Sequence, residues 1–180
     1  MVKLHNKSVG VLGGSFDPVH KGHLTITKIA LKKIKLHKIY WIVTKKNPLK
    51  NKTQFSLEKR LKLAKNFSKN IKKIEVLYLD KKVKSSRSIN IINYLLKKKK
   101  LSNIYFIIGS DILTQLHKWK SWKKIVKLMK LVVFNRKGYG RKSKKSIVAK
   151  YLKNKNIIYI KNKPIKISST ILRNKLKKIS

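Results

Sequence analysis

Two histidines, His20 and His23, stand three residues apart behind a glycine pair in the stretch Gly13-Gly14-Ser15-Phe16-Asp17-Pro18-Val19-His20-Lys21-Gly22-His23-Leu24. An imidazole can donate a hydrogen bond to a phosphate oxygen. At the start of a helix, a spacing of three sets both rings on one side of the first turn. Glycines ahead of that turn let main chain approach a ligand closely. The unpaired N–H groups and positive dipole end of the helix attract anions. The chemistry on offer is therefore the holding of phosphate charge. Zinc is the rival for a histidine pair, but the nearest acid, Asp17, lacks the usual ligand spacing and the chain contains no cysteine.

A second such group lies near the other end, in Lys166-Ile167-Ser168-Ser169-Thr170-Ile171-Leu172-Arg173. Hydroxyl residues at a helix start offer O–H and N–H donors to phosphate. Arg173, three to four residues on, can add a forked contact. By itself the serine-threonine run is an ordinary helix cap.

These residues need a scaffold, and the chain has the means to build one. It has 180 residues, 42% of them hydrophobic, enough for one domain, 1–180, with a proper core. No apolar run reaches the length of a membrane span. Without cysteine there are no disulfides, thiolate metal sites or cysteine nucleophiles, and a cytoplasmic enzyme is expected. The charge is extreme: 49 lysines and arginines against 5 acids, a net +44. One reading is a binder of polyanions. The other is compositional drift, since the excess is mostly lysine, accompanied by isoleucine and asparagine, and is spread along the whole chain. Either way the field favours anionic substrates and non-specific polyanion binding. Carboxylates are so scarce (Asp17, Glu58, Glu75, Asp80, Asp111) that one inside a glycine-flanked motif is a candidate for a specific job.

Apolar patterning predicts strands over 8–12, 39–43, 74–79, 104–108, 131–134 and 157–160. Helices are expected over 22–34, 55–67, 88–96, 122–129, 147–152 and 169–179, the last capped by Ser168 or Ser169. The basic stretch 137–146 is expected as a mobile loop. Alternation of strand and helix predicts an α/β fold, a doubly wound parallel sheet of Rossmann-like type. Ligands of such folds sit at the carboxyl ends of the strands, near the switch point.

The first motif resembles the signature of the nucleotidylyltransferase superfamily with its [HT]-x-G-H element. The second resembles that superfamily's I-S-x-T-x-[IL]-R. Further stretches resemble the bacterial nicotinate-nucleotide adenylyltransferases. They are Trp41-Ile42-Val43-Thr44-Lys45-Lys46-Asn47-Pro48-Leu49-Lys50, Phe106-Ile107-Ile108-Gly109-Ser110-Asp111 with Trp119 eight residues later, and Phe134-Asn135-Arg136-Lys137-Gly138-Tyr139. The resemblance covers nearly the whole chain. It implies adenylyl transfer from ATP, with Mg²⁺ carried by the phosphates, to nicotinate mononucleotide, releasing pyrophosphate. His20, His23, Lys50 and Arg173 are the catalytic residues it implies. ATP would be bound by Gly13, Gly14, Ser15, Phe16, Gly22, Gly109, Asp111, Ser169 and Thr170, with Asp111 on a ribose hydroxyl. Asn47, Ser88, Trp119 and Arg136 would meet the acceptor, Trp119 stacking on its pyridine ring. The bland alternative for Asp111 is an N-cap for the helix that follows it, and both roles can hold together. The sequence departs from the family at Arg87-Ser88, where the family has Tyr-Thr, and at Lys137, where the family usually has proline. A sister transferase acting on nicotinamide mononucleotide or phosphopantetheine, and a basic nucleic-acid-binding protein, are the competing readings. Oligomeric state stays open.

Overall fold

The computed structural model describes residues 8–45, 53–85, 87–98, 101, 103–163 and 167–176. Six strands, β1 (Val9–Gly14), β2 (Lys38–Val43), β3 (Ile74–Leu77), β4 (Ile104–Gly109), β5 (Lys130–Phe134) and β6 (Ile157–Ile160), form one sheet in the order β3-β2-β1-β4-β5-β6. Every pairing is parallel. This is a doubly wound order, with its switch point between β1 and β4.

The strands are apolar on both faces because both faces are covered. Along β2 and β4, alternate residues go to opposite sides. Tyr40, Ile42, Ile104, Phe106 and Ile108 join one core, while Ile39, Trp41, Val43, Tyr105 and Ile107 join the other. The second core is closed by α1 (Lys21–Lys33) and α2 (Leu57–Ser68), through residues such as Ala30 and Ala64. The first is closed by α3 (Ser88–Lys98), α4 (Ser110–Gln115), α5 (Trp122–Leu128) and α7 (Ile147–Tyr151), through Leu95, Leu113, Val126 and Val148. A Cβ at Gly10 would come within 2.8–3.0 Å of the side chains of Ile39, Leu36 and Ile107, so a larger residue there would force these side chains to shift. Trp41 is fully buried, and its indole N–H donates to Thr27 Oγ1 at 2.9 Å, so the one polar atom of that side chain is satisfied.

Two sequence expectations are corrected. The stretch 137–146 contains a short helix, α6 (Gly140–Lys144), with Ser143 buried and its hydroxyl donating to the Gly140 carbonyl at 2.8 Å. The strand expected to run to residue 79 leaves the sheet after Leu77. The last helix, α8 (Ser169–Leu176), is capped by Ser168, whose Oγ accepts the Ile171 N–H at 3.2 Å. Among the described residues no helix is long and apolar enough to cross a membrane.

Candidate active site

A cavity of about 580 Å³ opens at the carboxyl ends of β1 and β4, as the topology requires. Gly13, Gly14, Ser15, Phe16, His20 and His23 line one wall. Gly109, Asp111, Trp119 and Arg136 stand on another, Ser88 on a third, and Ser169 and Thr170 of the distant C-terminal motif reach the same space. Gly22 faces a small adjoining recess together with both histidines and Arg136.

The turn after β1 sets the histidines. Phe16 takes a left-handed φ of 49°, which a bulky side chain holds only when its surroundings fix it. Here the ring is buried, stacked on Trp41 with centroids 5.3 Å apart and against His23 at 4.7 Å. His20 is the N-cap of α1, with its ring centroid 3.9 Å from that of His23. The His20 main-chain N–H donates to His23 Nδ1 at 3.2 Å. In the neutral ring that acceptor role puts the proton on Nε2, giving that nitrogen donor character. His20 is 5% exposed and its Nδ1 is buried without a hydrogen-bond partner among the described residues. Burial, and secondly the charge of Arg136, pull its pKa from 6.5 down to about 4. The ring is therefore neutral at physiological pH in the free enzyme.

Gly109 precedes α4 as its N-cap, and Asp111 stands in the first turn. The N-cap reading of Asp111 is thus corrected. A Cβ on residue 109 would overlap Asp111 Oδ1 and press on Arg136, so glycine lets that carboxylate fold back beside the strand end. Arg136 Nε lies 3.7 Å from Asp111 Oδ1, and the Arg136 main-chain N–H donates to Ser110 Oγ at 2.9 Å. Trp119 is half-buried on the cavity wall, edge-on to Phe106 with centroids 6.0 Å apart. Arg87 also lines the cavity, together with Lys118 and Lys120.

The C-terminal motif is fastened to the first. Ser169 Oγ donates to the Pro18 carbonyl at 2.9 Å across 151 positions of sequence. Arg173 does not line the cavity. It stands behind Ser169 and Thr170, donating to the Asp17 carbonyl at 2.6 Å and to Thr170 Oγ1 at 3.1 Å. Asn47 and Lys50 lie outside the described residues.

Sequence reasoning missed Arg60. It is 1% exposed, and its guanidinium donates to the carbonyls of Ser15 (2.7 Å), Thr44 (2.8 Å), Phe55 (3.1 Å) and Lys45 (3.2 Å). One planar fork thus ties the turn after β1 to the segment after β2 and to the approach to α2. A signal existed: of the 49 basic residues only five are arginine, at 60, 87, 136, 141 and 173. In a chain where lysine is the default base, arginine remains where planar, multi-donor geometry is needed. Four of the five stand at the site or support it.

The family model described as cytidylyltransferase-like matches residues 11–175, which makes the molecule a nucleotidyltransferase by class. A relative from Pelagibacter ubique (strain HTCC1062), named a probable nicotinate-nucleotide adenylyltransferase, is 45% identical over 165 residues, covering 92% of this chain and 91% of its own. One of the same name from Clostridium novyi (strain NT) is 37% identical over 177 residues, 95% and 88% of the two chains. The chain belongs to the nicotinate-nucleotide adenylyltransferase family. The fold agrees: the Plasmodium falciparum nicotinic acid mononucleotide adenylyltransferase complexed with APC superposes with a TM-score of 0.74 at 18% identity, covering 94% of this chain and 83% of that one.

Proposed function

We propose that the chain transfers the adenylyl group of ATP to nicotinate mononucleotide, giving nicotinate adenine dinucleotide and pyrophosphate, a step in making NAD. The observation that carries this reading is the junction at Pro18. There the histidine turn and the Ser169-Thr170 helix start face one cavity from opposite ends of the sequence.

The acceptor's phosphate oxygen attacks the α-phosphorus of ATP in line. A P–O bond forms as the bond to the β-phosphate bridging oxygen breaks, and that oxygen leaves with the pyrophosphate. The nucleophile is already ionised at neutral pH, so no general base is needed. The work is positioning and charge stabilisation. His20 and His23 donate to the triphosphate from the start of α1, and the main-chain N–H groups of Ser169 and Thr170 from the start of α8, with the charge of Arg173 standing behind them. Lys50 adds a cation from the segment after β2. No acid stands in the first turn of α1 or of α8 to oppose the incoming anion. Gly13, Gly14, Ser15, Phe16 and Gly22 let the main chain close on the nucleotide, and Asp111, beside Gly109, accepts a ribose hydroxyl. Trp119 offers its face to the pyridine ring, while Ser88, Asn47 and Arg136 meet the rest of the acceptor. Mg²⁺ arrives as part of the MgATP substrate. Asp17 already accepts two main-chain N–H groups and Asp111 faces Arg136, so the phosphates supply most of its ligands.

Incubation with MgATP and either nicotinate or nicotinamide mononucleotide, with dinucleotide and pyrophosphate both measured, tests the proposal. Equal formation of both products from nicotinate mononucleotide, and much less from the amide, is expected. Absence of turnover with either acceptor would refute it.

A further inference from the structure

None of these steps employs Asp17, although it is one of only five acids in the chain and its side chain is 3% exposed. Both carboxylate oxygens accept main-chain N–H groups at 2.9 Å, Oδ2 from Gln54 and Oδ1 from Phe55. The main-chain carbonyl of the same residue accepts Arg173 Nη1 at 2.6 Å, and that nitrogen lies 3.7 Å from Oδ2. The next carbonyl, of Pro18, accepts the Ser169 hydroxyl. Arg60 flanks the node, holding the carbonyls of Ser15 and Phe55. Three segments remote in sequence therefore meet on this one residue: the histidine turn, the approach to α2, and α8.

Toward a bound triphosphate the charge of this carboxylate is unfavourable, because it repels the phosphates the surrounding residues attract, even though Arg173 and Arg60 stand close by. Its presence needs a compensating role, and the hydrogen bonds supply one. We propose that Asp17 is a positioning residue: it holds α8, through Arg173, and the segment at 54–55 in register against the histidine turn, so that the helix start at Ser169 and Thr170 faces the β- and γ-phosphates. The inference rests on reading the cavity as a triphosphate site. Asp17 touches no substrate itself and acts through Arg173 and the three segments it joins.

The two effects of Asp17 have opposite signs, which makes the test sharp. Removing the negative charge should tighten ATP binding if charge governs. Losing the registration should weaken it, and only for ligands that own β- and γ-phosphates. Titration calorimetry with ATP and with AMP separates these cases. For Asp17→Asn, ATP affinity should fall by about tenfold or more, the scale of one or two charge-assisted contacts, while AMP affinity stays within about twofold. A parallel fall for both nucleotides, or ATP binding that is unchanged or tighter, overturns the inference. If Asp17→Asn does not melt cooperatively, Asp17→Glu, which keeps the charge and shifts it by one methylene, is judged by the same criterion. If neither variant folds, the residue belongs to folding and the inference is overturned. A wild-type protein that does not prefer ATP to AMP would fail earlier, on the reading of the cavity itself.

Discussion

Lowering the pH from 7.5 to 5 should leave the His20 ring largely uncharged in the free protein. Burial and the nearby Arg136 hold its pKa at about 4 against an ordinary 6.5. At pH 5 an unfolded histidine is about 97% protonated and His20 only about 10%. Unfolding then takes up a proton, so stability falls as the pH drops through 6.5 toward 4 and is fully retained above 6.5. Between pH 7.5 and 5 this linkage amounts to roughly 2 kcal/mol at face value. The ring borders an open cavity, and solvent screening reduces the figure to ~1 kcal/mol. Urea unfolding of the wild type and of His20→Asn at both pH values measures it. The remaining groups titrate alike in both proteins, so the wild type should lose about 1 kcal/mol more than the variant. The ring resonances followed by NMR should show a midpoint near 4 in the free protein, moving upward when MgATP brings negative charge beside it. A midpoint close to 6.5, with equal losses in wild type and variant, would refute the assignment of burial as the controlling cause.

Other perturbations follow from the same geometry. Arg60→Lys offers three donors where four carbonyls now have partners. It should cost about 2–4 kcal/mol, seen as a lower denaturation midpoint. Gly109→Ala drives a methyl group into Asp111 Oδ1 and should raise the Michaelis constant for ATP by about tenfold while the fold persists; an unchanged constant would remove Asp111 from the nucleotide site. Trp119→Ala should raise the Michaelis constant of the acceptor about tenfold and that of ATP less than about twofold, because one aromatic face is worth on the order of 1 kcal/mol or more. Equal effects on both substrates would contradict a stacking role.

Much of this is legible in the amino-acid sequence. Strands such as Ile104–Ile108 announced themselves because a parallel strand covered on both faces must be apolar throughout. The histidine and serine-threonine motifs were legible because each combines a helix start with small or donor-bearing residues. Helix α6 was not, since five residues dominated by surface lysine and arginine carry no apolar period, and the buried group that fixes it is a serine hydroxyl. Arg60 looked like one more base in Leu57-Glu58-Lys59-Arg60. Its role depends on three carbonyl-bearing segments that approach only in the folded chain. Arg173 was expected at the phosphates, yet its closest partners are Asp17 and Thr170. Spacing places a residue on a helix face but does not say which neighbour claims its donors first.

The bond between Ser169 and Pro18 closes a loop of 151 residues. All six strands precede the helix that makes this bond. During synthesis, then, the sheet can assemble while the cavity at its strand ends is still missing one side. Any polypeptide halted before Ser169 would own both histidines and still lack the partner surface that faces them. Translation thereby acts as a timer on assembly: the two sides of the cavity meet only once the segment that carries Ser169 has left the ribosome.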